Sequence, residues 1–195
     1  DNIPPETEAV IYSSSINDSN PEIREARKRN LLIVKRAQVL AELLNSRKGI
    51  AVTGTHGKTT TSSLISVMLE NCGLDPTALI GGEVEMFKGN SKRGKGEYVV
   101  AEADESDGTF TRLPTEMGIV TNIDPEHLDY FGSVEAMHRE YEAFLKNMPF
   151  FGVVVACIDH PVVREMLDRL SLRADGRRLL TYGVSRDADI VLENV

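Results

Sequence analysis

Long apolar runs are missing from this chain of 195 residues. None approaches the roughly 18 to 20 residues that a membrane-spanning helix needs, and the N-terminus lacks the charged and then apolar segments of a signal peptide. Cysteine is scarce as well. We expect Cys72 and Cys157 to be small core residues instead of a disulfide pair, as is usual in a reducing compartment. These absences predict a cytoplasmic protein with no membrane contact.

Basic residues are fewer than acidic ones, which gives a formal net charge of -8. A nucleic-acid surface normally needs clustered Lys and Arg, so we expect no nucleic-acid partner. A nucleotide would have to be bound locally, by loop amides, a lysine and Mg2+. The chain opens at Asp1 without methionine, and we expect it to be a piece of a longer protein. The sequence does not indicate an oligomeric state.

Residues 1–46 contain two short strand-and-helix units, with strands predicted at 9–12 and 31–34. Two such units cannot form a sheet with both faces covered, so this part is expected to complete a domain. The polar break at 45–49 marks the boundary, which we place between 46 and 47.

Residues 47–195 alternate between continuously apolar strands and helices, which predicts an α/β fold with a mainly parallel sheet flanked by helices. No helix or strand is assigned to a Gly-rich stretch at 81–96, whose basic turn at 91–96 is interpreted as a solvated hairpin tip instead of a nucleic-acid patch. The predicted strands are 50–53, 98–102, 118–123, 152–158 and 178–182, and the predicted helices are 60–72, 133–147 and 161–172.

Apolar side chains recur at helical spacing in two of these helices, which supports both helices and, in the second, predicts that these side chains face the core. In the first helix they are Leu64, Ile65, Met68 and Cys72. In the second they are Met137, Tyr141, Phe144, Leu145 and Met148.

The segment between strand 50–53 and the helix at 60–72 is typical of a phosphate-binding loop. Gly54 and Gly57 let backbone amides approach phosphate oxygens, Lys58 supplies a cation, and the Thr59 hydroxyl is placed to bind Mg2+. Val52 stands where the general pattern has its first glycine, and the alternative is a Gly-rich turn without a ligand. The predicted ATP-binding residues are Gly54, Thr55, His56, Gly57, Lys58, Thr59 and Thr60, with His56 expected to set the shape of the loop.

Two further strand ends carry polar residues, at the edge where ligands bind in parallel sheets. Glu102 is the first carboxylate after strand 98–102 and is the candidate Mg2+ ligand, the alternative being a solvated acidic loop. We expect Glu105, three residues on, to be solvated. His127 follows strand 118–123 and is a second metal ligand, a phosphate partner or a surface residue. His138 and His160 are assigned no function.

Four motifs together resemble the Mur ligase family, the ATP-dependent amide-forming enzymes of peptidoglycan precursor synthesis. They are Gly54-Thr55-His56-Gly57-Lys58-Thr59-Thr60, Leu79-Ile80-Gly81-Gly82-Glu83-Val84, Ala101-Glu102-Ala103-Asp104-Glu105-Ser106-Asp107-Gly108 and Thr121-Asn122-Ile123-Asp124-Pro125-Glu126-His127-Leu128-Asp129. The resemblance covers nearly the whole chain. It implies the tail of a Rossmann-like, UDP-binding N-terminal domain in 1–46 and an incomplete P-loop-type central ATP-binding domain in 47–195, with the C-terminal domain absent.

The resemblance also implies roles for individual residues. The glycine loop would bind ATP, and Mg2+ ions would be bound through Thr59, Glu102 and His127. Lys58, Glu102 and His127 would be catalytic. Two further residues, Ser106 and Asp107, would face the nucleotide-sugar substrate.

Within the family, the second and third motifs point to the branch that joins L-alanine to UDP-N-acetylmuramate. Tyr141 occupies the place of a modified lysine that several sibling ligases carry, which agrees with that branch. The alternatives are a recycling ligase that adds a preformed tripeptide and an ATP-binding module without activity of its own. We expect this piece to be inactive alone.

Overall fold

The structure is a computed structural model, which describes residues 2–13, 15–106 and 108–193. The chain divides into two compact units, one ending at Glu42 and the other beginning at Leu43. The boundary predicted from sequence lies four residues later and stays a prediction. None of the described helices is both long and apolar enough to cross a bilayer.

The N-terminal unit contains two parallel strands and the helix between them. Its elements are β1 (Ala9–Tyr12), α1 (Pro21–Lys28), β2 (Leu32–Lys35) and the start of α2 (Arg36–Asn45). The α1 helix begins after Asn20, whose side chain accepts a hydrogen bond from the Glu22 amide at 2.8 Å, and Pro21 occupies the first helical position. Ile23 and Ala26 are the buried residues of this helix.

The second unit is an α/β layer structure. Its elements are β3 (Lys48–Thr53), α3 (Lys58–Asn71), β4 (Thr77–Val84), β5 (Gly89–Lys92), β6 (Tyr98–Glu102), β7 (Met117–Val120), α4 (Leu128–Phe131), α5 (Val134–Asn147), β8 (Val153–Cys157), α6 (Pro161–Leu170), β9 (Arg178–Gly183) and β10 (Ile190–Val191). Its described strands form one sheet in the order β10-β9-β8-β7-β3-β6-β4-β5. All neighbouring strands in this sheet are parallel except β4 and β5. The predicted α/β fold is confirmed.

The β3 strand lies in the interior of the sheet, between β6 and β7. Its residues Ala51 and Val52 are fully buried, as is Val100 of β6. Burial on both faces explains why these strands are continuously apolar instead of alternating. Because the three strands are parallel, their carboxyl ends meet at one edge of the sheet.

Strands in the Gly-rich stretch were missed from the sequence, since it contains the end of β4 and all of β5. The antiparallel pair of β4 and β5 forms the end of the sheet, with Ala78 opposite Lys92. Strand β7 is shorter than predicted and ends at Val120. The residues that follow it form hydrogen bonds with the loop between β3 and α3 instead of extending the sheet.

The apolar residues of the two helices differ in burial. The core stripe predicted for α5 is confirmed, since all five of its residues are buried. The predicted α3 helix is present, but Leu64 is 59% exposed and Met68 is 65% exposed, and the expectation that Cys72 is a core residue was wrong, since it is an exposed free thiol. The buried residues of that helix are Ser62 and Ser66, whose small size allows a helix to pack closely.

Candidate phosphate and cation site

The loop between β3 and α3 has the backbone of an anion-binding loop. Gly54 has φ +130°, and a Cβ there would lie 2.1 Å from Oγ1 of Thr121. Gly57, with φ +81°, precedes the first residue of α3. Gly57 is the N-cap residue and has no side chain that could cap this helix. The positive end of its dipole is therefore available to an anion.

The segment after β7 fixes the shape of this loop. Oγ1 of Thr121 donates a hydrogen bond to the His56 carbonyl at 2.7 Å, and the Asn122 side chain accepts one from the His56 amide at 2.8 Å. The Thr55 hydroxyl accepts a hydrogen bond from the Asp124 amide at 2.8 Å. These hydrogen bonds hold the loop between β3 and α3 in its observed conformation. Thr121 and Asn122 were not predicted as site residues, although their place at a strand end was a signal.

Lys58 points back into the loop. Its Nζ donates hydrogen bonds to the carbonyls of Gly54 at 2.7 Å and Thr55 at 3.2 Å, and to Oε1 of Glu105 at 2.7 Å. An ammonium group has three N–H donors, so these acceptors use all of them.

Glu105 is the one charged side chain among the buried residues that the structure describes, at 2% exposure. The expectation that it is solvated was wrong. Burial raises the pKa of its carboxyl group, and the hydrogen bond from Lys58 opposes that shift. Sequence reasoning missed this residue because its partner is 47 positions away.

Glu102 lies where it was predicted, at the end of β6 and opposite Val52 of β3. Its carboxylate accepts hydrogen bonds from the Gly81 amide at 2.6 Å, Oγ of Ser62 at 3.2 Å and Oγ1 of Thr59 at 3.2 Å. A carboxylate beside a threonine hydroxyl supplies the oxygen ligands that Mg2+ prefers, so these residues fit that ion.

His127 lies next to the same site, and Glu105 lies close to both His127 and Lys58. Its Nε2 is 4.0 Å from Oε1 of Glu105. One possible ligand atom from each of Glu105, Glu126 and His127 lies within 4.8 Å of the others. Two carboxylates and an imidazole are a suitable donor set for a divalent cation.

The remaining predicted residues lie around this centre. Thr60 is exposed in the first turn of α3. Ser106 follows Glu105 in a turn, where its amide donates to Oδ1 of Asp104 at 3.0 Å. Asp107 lies outside the described residues. His160, to which no role was assigned, has its Nε2 3.2 Å from Oδ1 of Asp124.

Two family models match the chain in succession. The Mur ligase middle domain matches residues 52–195, and the Mur ligase family catalytic domain matches residues 1–48.

Known proteins extend this result. A UDP-N-acetylmuramate–L-alanine ligase of Methylobacterium sp. (strain 4-46) is 49% identical over 97% of this chain, which covers 40% of that protein. The crystal structure of the UDP-N-acetylmuramate–alanine ligase of Thermotoga maritima superposes with a TM-score of 0.79 at 28% identity, over 95% of this chain and 40% of that one. A UDP-N-acetylmuramate:L-alanyl-γ-D-glutamyl-meso-diaminopimelate ligase of Neisseria meningitides shares the fold, with a TM-score of 0.75 at 23% identity over 90% of this chain and 58% of that one. The chain spans about 40% of the length of the curated relatives that it matches.

Proposed function

The chain belongs to the Mur ligase family, and from this premise we propose that it forms the ATP-binding part of a ligase that joins L-alanine to the lactyl carboxylate of UDP-N-acetylmuramate. The observation that carries the proposal is a loop with Lys58 and Thr59 beside Glu102, in a chain 49% identical to a ligase of that name. The catalytic, ATP-binding and metal-binding roles assigned to individual residues are part of this proposal.

The reaction requires two anions to meet. The lactyl carboxylate attacks the γ-phosphorus of ATP, which gives an acyl phosphate and ADP; the amine of L-alanine then attacks the acyl carbon, and phosphate leaves. Carboxylate and triphosphate repel each other, so the protein must neutralise charge and align the reactants. Amides at the start of α3 and the ammonium group of Lys58 would bind the phosphate oxygens.

Thr59 and Glu102 would hold one Mg2+ ion, and His127 would bind a second. These ions would neutralise the charge that develops on the phosphates. The chain's own residues prepare this arrangement. The Gly81 amide and the Ser62 hydroxyl orient the Glu102 carboxylate through hydrogen bonds of 2.6 and 3.2 Å.

The first test is substitution of Lys58 by alanine. Calorimetric titration of Mg-ATP into this chain should give binding that Lys58→Ala abolishes. The matched control is Lys146→Ala, on an exposed part of α5 where the lysine contacts Glu142 at 3.5 Å. Unchanged binding in a folded Lys58→Ala variant would contradict the assignment of the loop.

The second test identifies the acceptor amine, in a protein that carries this chain at the full length of its relatives. Phosphate release should require UDP-N-acetylmuramate and L-alanine together. Release with a preformed tripeptide but not with L-alanine would favour the recycling ligase. ATP binding without any amine-dependent release would leave a nucleotide-binding module.

A further inference from the structure

Two histidines meet one carboxylate at the carboxyl edge of the sheet. Nε2 of His160 lies 3.2 Å from Oδ1 of Asp124, and Nε2 of His56 lies 3.5 Å from Oδ2 of the same side chain. A carboxylate accepts hydrogen bonds and donates none, so each imidazole presents an Nε2–H group to it. His160 directly precedes α6. Asp124 therefore links the tip of the loop between β3 and α3 to the start of α6.

Asp124 is also joined to the loop through its backbone. Its amide donates a hydrogen bond to Oγ1 of Thr55 at 2.8 Å, and that hydroxyl donates one to the Asp124 carbonyl at 3.1 Å. The carbonyl of Asn122 accepts a hydrogen bond from the Thr55 amide at 3.2 Å, and its side chain accepts one from the His56 amide at 2.8 Å. Because both amides already have acceptors, the imidazole is the donor that His56 can offer to a nucleotide.

The two histidines differ in how far they are accessible. The His160 side chain is 20% exposed, and its Nδ1 is buried without a hydrogen-bond partner among the described residues, so its polar contact there is with Asp124. The His56 side chain is 64% exposed and directly precedes Gly57, the N-cap residue of α3. One imidazole thus fixes the carboxylate, and the carboxylate holds the other imidazole beside the end of the helix that favours anions.

We propose that Asp124 and His160 are positioning residues for the nucleotide site: His160 fixes the carboxylate of Asp124, and Asp124 orients the imidazole of His56 at the tip of the loop. The inference rests on the proposed function and adds two residues to it. Sequence reasoning assigned neither of them a role, because Asp124 follows β7 and His160 follows β8. They meet because these two parallel strands are neighbours and end at the same edge.

The first test is calorimetric titration of a non-hydrolysable ATP analogue, in Mg2+, into variants whose fold is checked by a thermal melt. His160→Leu removes the hydrogen bond to Asp124 and should weaken binding by about 3- to 10-fold, the usual effect of losing one hydrogen bond. His160→Gln keeps an N–H donor at the end of the side chain and should restore most of the affinity. The matched control is His138→Leu on α5, which should leave the affinity unchanged.

A double variant shows whether His160 acts through Asp124. Asp124→Asn should weaken binding as well, because an amide has one oxygen and cannot accept a hydrogen bond from an imidazole on each side. In a chain that already carries Asp124→Asn, His160→Leu should cause no further loss of affinity. Losses that multiply in the double variant would mean that His160 affects binding by another route, and they would overturn the inference.

A measurement without nucleotide separates the inference from the proposed function. The chain has four histidines, so single substitutions can assign their imidazole signals in NMR spectra. Asp124→Asn should shift the signals of His56 and His160 and leave that of His138 in place.

The outcomes distinguish the two claims. Unshifted imidazole signals in Asp124→Asn, wild-type affinity in His160→Leu, or equal losses in His160→Leu and His160→Gln would each overturn the inference and leave the proposed function intact. No binding by the folded wild type would overturn the proposed function and the inference together.

Discussion

Substitution of Gly81 by alanine tests the proposed Mg2+ site without removing any ligand. A Cβ at this position would lie 2.8 Å from Oε2 and 3.2 Å from Oε1 of Glu102. Carbon and oxygen atoms do not approach to 2.8 Å without repulsion, so the carboxylate must shift by roughly half an ångström. The shift weakens the hydrogen bonds from the Gly81 amide and the Thr59 hydroxyl, which are now 2.6 and 3.2 Å long.

The expected magnitude follows from the role of groups that orient metal ligands. Loss of such an orienting group typically lowers metal affinity by about 10- to 100-fold, which corresponds to about 1.4 to 2.8 kcal/mol of binding free energy. The fold should tolerate the change, because the clash is with the end of a flexible side chain. The free energy of unfolding should therefore change by less than about 1 kcal/mol.

The assay is calorimetric titration of a non-hydrolysable ATP analogue in Mg2+ and in a chelator, with a thermal melt to check the fold. Gly81→Ala should lose affinity chiefly in Mg2+. Gly89→Ala is the matched control, since a Cβ at Gly89 meets no atom within 4 Å. Wild-type affinity in Mg2+ for a folded Gly81→Ala would refute the assignment of Glu102 as a ligand.

Two further predictions concern stability. Phe110→Ala should lower the free energy of unfolding by about 3 to 5 kcal/mol in chemical denaturation. The reason is that the Phe110 ring is fully buried, with its centroid 5.2 Å from that of Tyr141 and 5.6 Å from that of Phe144. A loss below about 1 kcal/mol would contradict that packing. Asp189→Asn should destabilise the chain at pH 7 but not in acid, because hydrogen bonds from Thr181, above all from its amide, lower the Asp189 pKa. The contribution of Asp189 to stability is present above its unfolded-state pKa of about 4 and is lost as the pH falls through its lower folded-state pKa. The melting curves of the wild type and the variant should therefore converge in acid. A difference in stability that is independent of pH would contradict this prediction.

Local patterns were sufficient to predict most elements and the strand, turn and helix around Gly54 to Thr59. The apolar run of β3 followed by Gly54 to Thr59 specifies a strand, a tight turn and a helix N-terminus within a few residues of one another. Glu102 was predicted from the same kind of information, because a carboxylate directly after a buried strand must lie at the sheet edge. Such inferences need only the neighbours of a residue along the chain.

The failures have a different origin. Glycines at 81 and 82 argue against a strand by propensity, yet β4 continues through them. The missing side chains leave room for Glu102 beside Gly81 and for Thr59 beside Gly82. On α3, Leu64 and Met68 have the spacing of a core stripe, but the sheet packs against the side of the helix that carries Ser62. In both cases a contact with a distant element decides what the local pattern cannot.

Glu105 shows how strand order brings together residues that are distant in the sequence. An acidic residue three positions beyond a strand is normally solvated, and it would remain so if β6 were at the end of the sheet. Here β6 adjoins β3, so the turn after β6 lies over the phosphate loop and brings Glu105 to Lys58, 47 residues earlier in the chain. On the other side of β3, β7 leads to His127. The lysine, the carboxylate and the imidazole are therefore neighbours because three parallel strands end together.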